Sequence, residues 1–573
     1  MQKICAQCRS GFEVTSDDLA LLEKLSPVFA GKKEQIPPPS LCPDCRQQRR
    51  LLWRNERSLY RRTCDLCKKS IISMYPAGSP FPVYCTECWW SDQNDPVNFG
   101  REVNFSRPFF AQVKELQNTV PRLALNVINN ENSDFINLSG SNKSCYLIFA
   151  AEFNEDCLYG YQVIKSVGCV DTSDCTESHY CYEAVDVDKC HTAFFCQNCT
   201  NCSSSAFLFD CKGCTECLLS MNLRNKRNYI RNKEYPQEEY KRLKKEILDR
   251  IAQGKLADIL QEFSRLKQQS IHRAREVVSC ENVTGDYLKD SRNLRHCFDV
   301  SYGEDCAYIF TGFQIKDLLD VCHTTDAQLG YESLSLGYGS YNTVFTHGSW
   351  SSRNLLYCDI IQTGSDMCGC VCMKPGKYCI LNKQYTKEEY EKLVPKIIEH
   401  MRKTPYQTPS GVGTGQAGEW GEFFPAGVSP FAYNETTAQV YFPLTCGEAR
   451  ARGFGWREET DDAAQVSKVI PAQSLPASIN EVPDDVLQWA VHCEITGRPF
   501  RIVKKELEFY RSHGLPVPHL HPDERHRQRM MLRNPRCLWT RPCMKCGKEM
   551  ETTYQPSRPE IVYCEQCYLA EVY

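Results

Sequence analysis

Between Cys145 and Cys217, small and apolar residues occupy every third position. Cys145, Cys157, Cys169, Cys175, Cys181, Cys190, Cys196, Cys199, Cys202, Cys211, Cys214 and Cys217 all share that phase. Ile148, Ala151, Gly160, Val163, Ala184, Val187, Ala193 and Leu208 fill other positions of the same phase. A second stretch follows the rule with shifts at insertions: Leu294, Cys297, Val300, Gly303, Cys306 and Ile309, then Leu355, Cys358, Ile361, Gly364, Met367 and Cys370. A period of three fits neither an α-helix at 3.6 nor a half-buried strand at 2. It predicts a β-solenoid with short sides, one residue in three pointing to a narrow axis. Separations of 21 recur among the cysteines, and SRNLRHC and SRNLLYC stand 61 apart. A coil of about 20 residues accounts for both.

Helical periodicity appears elsewhere. RNYIRNKEYPQEEYKRL, from Arg227, and KYCILNKQYTKEEYEKL, from Lys377, each predict a strand, an NKxY turn and a helix. The first helix is expected over 237–275 and the second over 387–402, started by a Thr386/Glu389 capping box. Another helix is expected from a Ser106 cap to Asn118, and DDLALLEKL predicts one near the N-terminus.

The expected organisation is a tandem zinc-ribbon pair over 1–95 and a helical connector over 96–140. A first solenoid half (141–232), a helical insertion (233–276) and a second half (277–382) follow. A helix (383–404), a Gly/Pro-rich linker region (405–490) and a second ribbon pair with one degenerate site (491–573) complete it. The fold class is mainly β with α, with zinc-ribbon or treble-clef-like modules at both ends of a Cys-lined β-solenoid with helical insertions.

The ends repeat each other. A shift of 479 aligns Arg46, Arg50, Arg54 and Arg57 with Arg525, Arg529, Arg533 and Arg536. The same shift aligns Cys64, Cys67, Cys85 and Cys88 with Cys543, Cys546, Cys564 and Cys567. Each set is two CxxC knuckles separated by 17 residues, a spacing that presents four thiolates to Zn²⁺. Cys5, Cys8, Cys42 and Cys45 form a third set, so three structural Zn²⁺ sites are expected. Cys₄ sites are closed and leave no position for water or substrate. In the last copy Cys493 matches Cys5, but Thr496 replaces Cys8, and His521 and Glu524 replace Cys42 and Cys45. The expectation there is a degenerate copy that folds without metal. The alternative is an open site of the kind a hydrolase uses.

ICAQCRSGFEVTSDDLALLEKL…PPPSLCPDCRQQRR resembles the "probable zinc-ribbon" domain found in many bacterial proteins, and the resemblance implies zinc at Cys5, Cys8, Cys42 and Cys45. The whole chain is similar to an uncharacterised multi-zinc-ribbon protein family of candidate-phyla bacteria. IPPPSLCPDCRQQRRL, RNERSLYRRTCDLC, YCILNKQYTKEEYEKLVPKIIEHM, EWGEFFP…SPFAYNET and RPEIVYCEQCYL carry that similarity. Some such proteins bear a class III CoA-transferase label; no residue constellation in this chain supports it.

Composition narrows the function. Of 573 residues 36 are cysteine, 42% are hydrophobic and 24% charged, with a formal net charge of −3. No apolar run approaches the ~18 residues of a membrane span, and MQKICAQCRS has no signal-peptide core. A cytoplasmic protein with reduced, metal-binding or buried thiols is expected. Three Zn(Cys)₄ units move the net charge toward about −9. Residues 46–69 hold nine basic side chains against two acidic, and 525–548 hold eight against none. Arg46, Arg50, Arg54, Arg57, Arg525, Arg529, Arg533 and Arg536, with interleaved aromatics, are candidate RNA or DNA ligands. Residues 141–223 carry 11 acids against 4 bases, so the arginines have an internal alternative: pairing with an acidic solenoid. The leading expectation is a non-enzymatic zinc protein that binds nucleic acid, and the alternative is a protein–protein scaffold. An enzyme using Cys493, His521 and Glu524, or a solenoid thiol, ranks third, since no GxSxG, HExxH or P-loop occurs.

Overall fold

The computed structural model describes residues 1–407, 418–458 and 468–573. The chain is mainly β and divides into two compact units, neither contiguous in sequence. One joins Met1–Leu125 to Arg275–Arg457; the other joins Asn126–Ala274 to Glu458–Tyr573. Each unit therefore takes its cysteine knuckles from one end of the chain and its parallel β-ladder from the opposite half.

In the second unit the ladder starts at Val127–Ile128, inside the segment read as a connector, and ends at Arg227–Ile230. Its strands are parallel and pair residue i with i+12, as in Tyr161 with Ser173, Ser173 with Val185 and Val185 with Gln197. The step is thus twelve residues, not about 20. Recurrences of 21 arise because 9 and 12 both preserve a phase of three. Every third residue, such as Tyr159, Gln162, Lys165, Asp171 and Asp174, has a positive φ near 50°. That conformation turns the extended chain after each three-residue side. It costs an ordinary residue about 1 kcal/mol or more, offset by interstrand hydrogen bonds and a closed interior.

The residue after each turn points inward, which explains the predicted phase. All twelve ladder cysteines are buried. Their neighbours show what the axis requires. Inward N–H groups need an acceptor one step earlier: Cys190 N–H donates to Ser178 Oγ at 3.0 Å, and Cys217 N–H to Ser205 Oγ at 3.0 Å. Thiols donate to inward carbonyls, as Cys157 Sγ does to Ser166 O at 3.5 Å and Cys202 Sγ to Cys211 O at 3.3 Å. Small side chains with one weakly polar atom satisfy both the volume and the hydrogen bonds. Outward positions repeat at twelve as well. Leu158, Val170, Tyr182 and Leu218 form one apolar column, which packs in the cluster holding Ile247, Ile251, Ile259 and Phe263. Those four lie on helices Gln237–Ala252 and Leu256–Gln269. The single helix expected over 237–275 is broken at Gly254, which has φ +83°.

In the first unit the ladder runs from Val277–Val278 to Gly376–Ile380. Its step opens at eleven, Glu281 with Arg292, and becomes twelve at Gly285 with Cys297. Gly285 has φ +136°, and a Cβ there would lie 1.7 Å from Cys297 O. One step of thirteen, Ala327 with Ser340, makes the spacing of the two SRNL segments 61 rather than 60. Helix Lys387–Lys403 starts at the Thr386/Glu389 capping box as expected. Helix Phe109–Gln117 does not use Ser106; Phe109 and Phe110 N–H donate to Glu419 at 2.8 and 2.7 Å.

Glu419 opens a segment read from sequence as linker. Residues 408–417 and 459–467 of that region lie outside the described residues. Within 418–457, Trp420, Phe423, Phe424, Val428 and Tyr433 are buried, so this part is a packed strap.

Candidate metal centres

In each group one knuckle is the turn of a β-hairpin and the other starts a short helix. In the first module strand Gln2–Ile4 pairs with Gly11–Glu13 and brings Cys5 and Cys8 into the turn. Cys42 N-caps helix Pro43–Leu51, which places Cys45 in its first turn. In the second module Tyr60–Thr63 pairs with Ser70–Ser73 around Cys64 and Cys67, and Cys85 caps helix Thr86–Trp90. The C-terminal copy repeats this with Trp539–Pro542, Glu549–Thr552 and Cys564 capping Glu565–Val572.

Three four-cysteine groups result: Cys5, Cys8, Cys42 and Cys45; Cys64, Cys67, Cys85 and Cys88; Cys543, Cys546, Cys564 and Cys567. In each group the sulfurs lie within 4.8 Å of one another. A tetrahedral ion with ~2.3 Å metal–sulfur bonds needs sulfurs about 3.8 Å apart. Cys8–Cys42, Cys67–Cys85 and Cys546–Cys564 stand at 3.6, 3.9 and 3.8 Å. Backbone N–H groups also point at the sulfurs: Cys85 N–H donates to Cys64 Sγ and Cys564 N–H to Cys543 Sγ, both at 3.3 Å. Burial pushes the Cys543 thiol up, but backbone donors including Cys546 and Cys564 outweigh it and hold the thiol down to about 6. The donor set and spacing fit a tetrahedral metal ion at all three places.

Cys493, His521 and Glu524 are not brought together as a fourth group among the described residues. Glu524 is held by Arg527 at 2.6 Å, and His521 Nδ1 caps its helix by accepting from Asp523 N–H at 3.1 Å. The backbone of the module survives without the ligands. Ala6 N–H donates to Ser40 O at 3.0 Å, and the matching Glu494 N–H donates to His519 O at 3.2 Å.

Six of the eight arginines pair with carboxylates of their own unit. Arg46 and Arg50 are 3% and 0% exposed. Arg46 Nε lies 2.8 Å from Asp320, and Arg50 lies 3.4 Å from Asp320 and 3.3 Å from Glu332. Arg54 is buried on Glu56 and Ser335. In the other unit Arg525 pairs with Asp171 and, at 3.2 Å, Glu506. Arg529 pairs with Asp171 at 2.8 Å and Glu183 at 3.4 Å, and Arg533 with Asp186 at 3.1 Å. Arg57 and Arg536 are half-buried. The physical reason is the ladder: its turn residues present carboxylates in a column, and the helix after each Cys42-type cap lays its arginines along that column.

Arg49 belongs to the same cluster, at 3.2 Å from Glu332 and 2.7 Å from Glu422, and was not singled out from sequence. Neither were the carboxylates. A signal existed at the step of twelve: Tyr159, Asp171, Glu183, Phe195 and Phe207 in one ladder match Tyr308, Asp320, Glu332, Phe345 and Tyr357 in the other.

The ladder thiols assemble no metal group among the described residues. Burial pushes the Cys297 thiol up to about 12 and raises Cys157 and Cys306 further, so these thiols are neutral packing groups at neutral pH. No helix among the described residues is long and apolar enough to cross a membrane. No family model matches the chain, and no curated protein matches it.

Proposed function

We propose that this protein is a non-enzymatic scaffold for protein partners, stapled by three structural Zn²⁺ ions and built on two thiol-cored β-solenoids with twelve-residue coils. The terminal modules read as zinc ribbons of treble-clef type, and a reducing cytoplasm suits the unpaired thiols. Membership in the multi-zinc-ribbon family of candidate-phyla bacteria belongs to the same reading. One observation carries it: the arginine-rich helices, the best nucleic-acid ligands in the sequence, are spent on buried ladder carboxylates. The closed Cys₄ sets leave no open metal position, which favours a binding role over a catalytic one.

Nucleic-acid binding is a second reading, favoured by exposed Arg61, Lys68, Lys69, Lys545 and Lys548 beside the knuckles. Retention of RNA and DNA by the reduced, zinc-loaded chain across a salt series decides between the two. The scaffold reading expects no retention at low salt together with a stable protein partner in affinity capture. Steeply salt-dependent retention that is lost on replacing Lys68, Lys69, Lys545 and Lys548 by glutamine overturns it.

A further inference from the structure

The duplicated helices differ in what covers their C-terminal ends. In the first unit Gln48, Leu52, Trp53 and Glu56 are buried, Trp53 completely. The strap covers them. Phe424 and Phe423 lie 5.0 and 5.8 Å from the Trp53 ring, Ser429 Oγ donates to Leu52 O at 2.7 Å, and Thr437 N–H donates to Arg54 O at 2.9 Å. Gln48 Nε2 donates to Tyr433 Oη at 2.7 Å.

The same positions in the second unit are Arg527, Met531, Leu532 and Pro535. Met531 is 68% and Leu532 44% exposed; Arg527 and Pro535 are exposed too. Part of the strap has a substitute there: Phe263 packs on Phe207 at 5.9 Å, as Phe424 packs on Tyr357 at 5.9 Å. The part that seals the helix end has none, and two large apolar side chains stand in solvent where their counterparts form a core.

We infer that the Met531/Leu532 face is a docking site for an extended, acidic, aromatic-bearing segment of a separate protein partner, seated as the strap is seated on Leu52 and Trp53. The strap states the chemistry of the occupant: residues 419–442 hold seven aromatic residues, three glutamates and no basic residue. Arg527 stands where the covered copy has Gln48, with Nη1 3.0 Å from Met531 Sδ; it pairs with Glu524 at 2.6 Å but is more than half exposed, and its outward N–H groups remain for a carboxylate of the occupant. The strap of a second copy is not the occupant, because it is already packed in its own unit.

This inference rests on the scaffold reading, and its test separates the two. A fluorescent synthetic peptide of residues 419–442 is titrated into the full zinc-loaded chain, followed by anisotropy. The expected result is saturable binding of one peptide per chain that weakens with salt, drops at least tenfold in Met531→Glu/Leu532→Glu, and drops several-fold in Arg527→Glu. Both residues of the double variant are exposed, so its thermal midpoint is expected to match wild type; should it not, Arg527→Glu alone decides. Equal binding to wild type and variants overturns the inference, because the peptide then exchanges with the strap of the first unit. Absence of binding overturns it as well. A dimer in light scattering that dissolves in Met531→Glu/Leu532→Glu overturns it in favour of a second copy. A protein partner still captured by the double variant discards this face and leaves the scaffold standing.

Discussion

Replacing Asp320 by asparagine removes the charge that Arg46 and Arg50 share while leaving the volume almost unchanged. Asp320 is fully buried, with Arg46 at 2.8 Å and Arg50 at 3.4 Å. Glu332 is then left facing Arg46, Arg49 and Arg50, at 3.5, 3.2 and 3.3 Å, with Glu422 reaching Arg49 at 2.7 Å. Removing one partner of a buried ion pair costs about 3–5 kcal/mol, because the remaining charge is desolvated and uncompensated. At roughly 2 °C per kcal/mol for a unit of this size, the first unit is expected to unfold roughly 6–10 °C lower. Hydrogen exchange read by mass spectrometry assigns the loss: amides of 292–337 lose protection, while those of 173–221 in the other ladder keep theirs and act as an internal control. The deficit is expected to persist at 1 M salt, since buried pairs are screened little. A shift below about 1 °C, or one that high salt removes, refutes the reasoning and returns these arginines to the solvent-exposed class. The same physics warns against a simple functional test. Glutamine at Arg46, Arg50, Arg54 and Arg57 dismantles the core of the unit, so lost nucleic-acid retention in that variant says nothing about phosphate contacts.

Three further outcomes follow from the metal groups, the interior and one buried histidine. Metal analysis of the purified chain is expected to give three Zn²⁺ per chain, two in Cys546→Ser, and no loss in His521→Ala. Titration of the native, zinc-loaded chain with an aromatic disulfide is expected to modify Cys280, Cys446 and Cys537, which are the exposed or half-buried thiols outside the metal groups and the Cys493 knuckle; prompt reaction of ladder thiols contradicts the packed interior. Burial lowers His272 to about 4. Its Nε2–H donates to Lys267 O at 3.0 Å, and Nδ1 accepts from Tyr554 at 3.1 Å, with Lys267, Arg558 and Glu560 the nearby charges. The unfolded chain takes up a proton below pH 6.5 that the folded one refuses until about pH 4, so stability falls as pH drops across that window, by about 3 kcal/mol. Unfolding curves at pH 7.5 and 4.5 for wild type and His272→Gln check this: the variant is expected to lose less on acidification.

The metal groups were legible because their chemistry is local: a knuckle is two cysteines at a fixed spacing, and the duplication at 479 repeats it. The three-residue phase was legible for the same reason, since each inward position depends only on the turn before it. The step of twelve was not. One residue fewer at 283–285 and one more at 337–339 shift the phase, and interior spacings of 9, 12 and 21 share one remainder. The arginines were misleading because their partners lie about 270–360 residues away. The acid excess of 141–223 was visible and offered the arginines an internal partner, but the individual pairs were not legible. Asp171, Asp174, Glu183, Asp186 and Asp210 are ion-paired with Arg525, Arg529, Arg533 and Arg224.

The lost fourth site shows when a module of this kind needs its ion. Around Cys5 the buried cluster consists of Phe12, Val14 and Leu41 with Cys5, Cys42 and Cys45 themselves. Half of that core is potential ligand, so a bound ion would supply what apolar burial in so small a module cannot. Around Cys493 the situation is reversed. Phe500, Ile502, Leu507, Tyr510, Leu515 and Val517 join one cluster with Ile470, Leu475, Ile479, Val482 and Val486. A hydrogen bond between His519 Nδ1 and Glu494 at 2.6 Å and an ion pair from Arg498 to Asp523 at 3.3 Å then close the turn that a metal ion would have closed. A knuckle backed by that cluster tolerates threonine, histidine and glutamate at its ligand positions. The first module, whose buried cluster is half ligand, keeps all four cysteines.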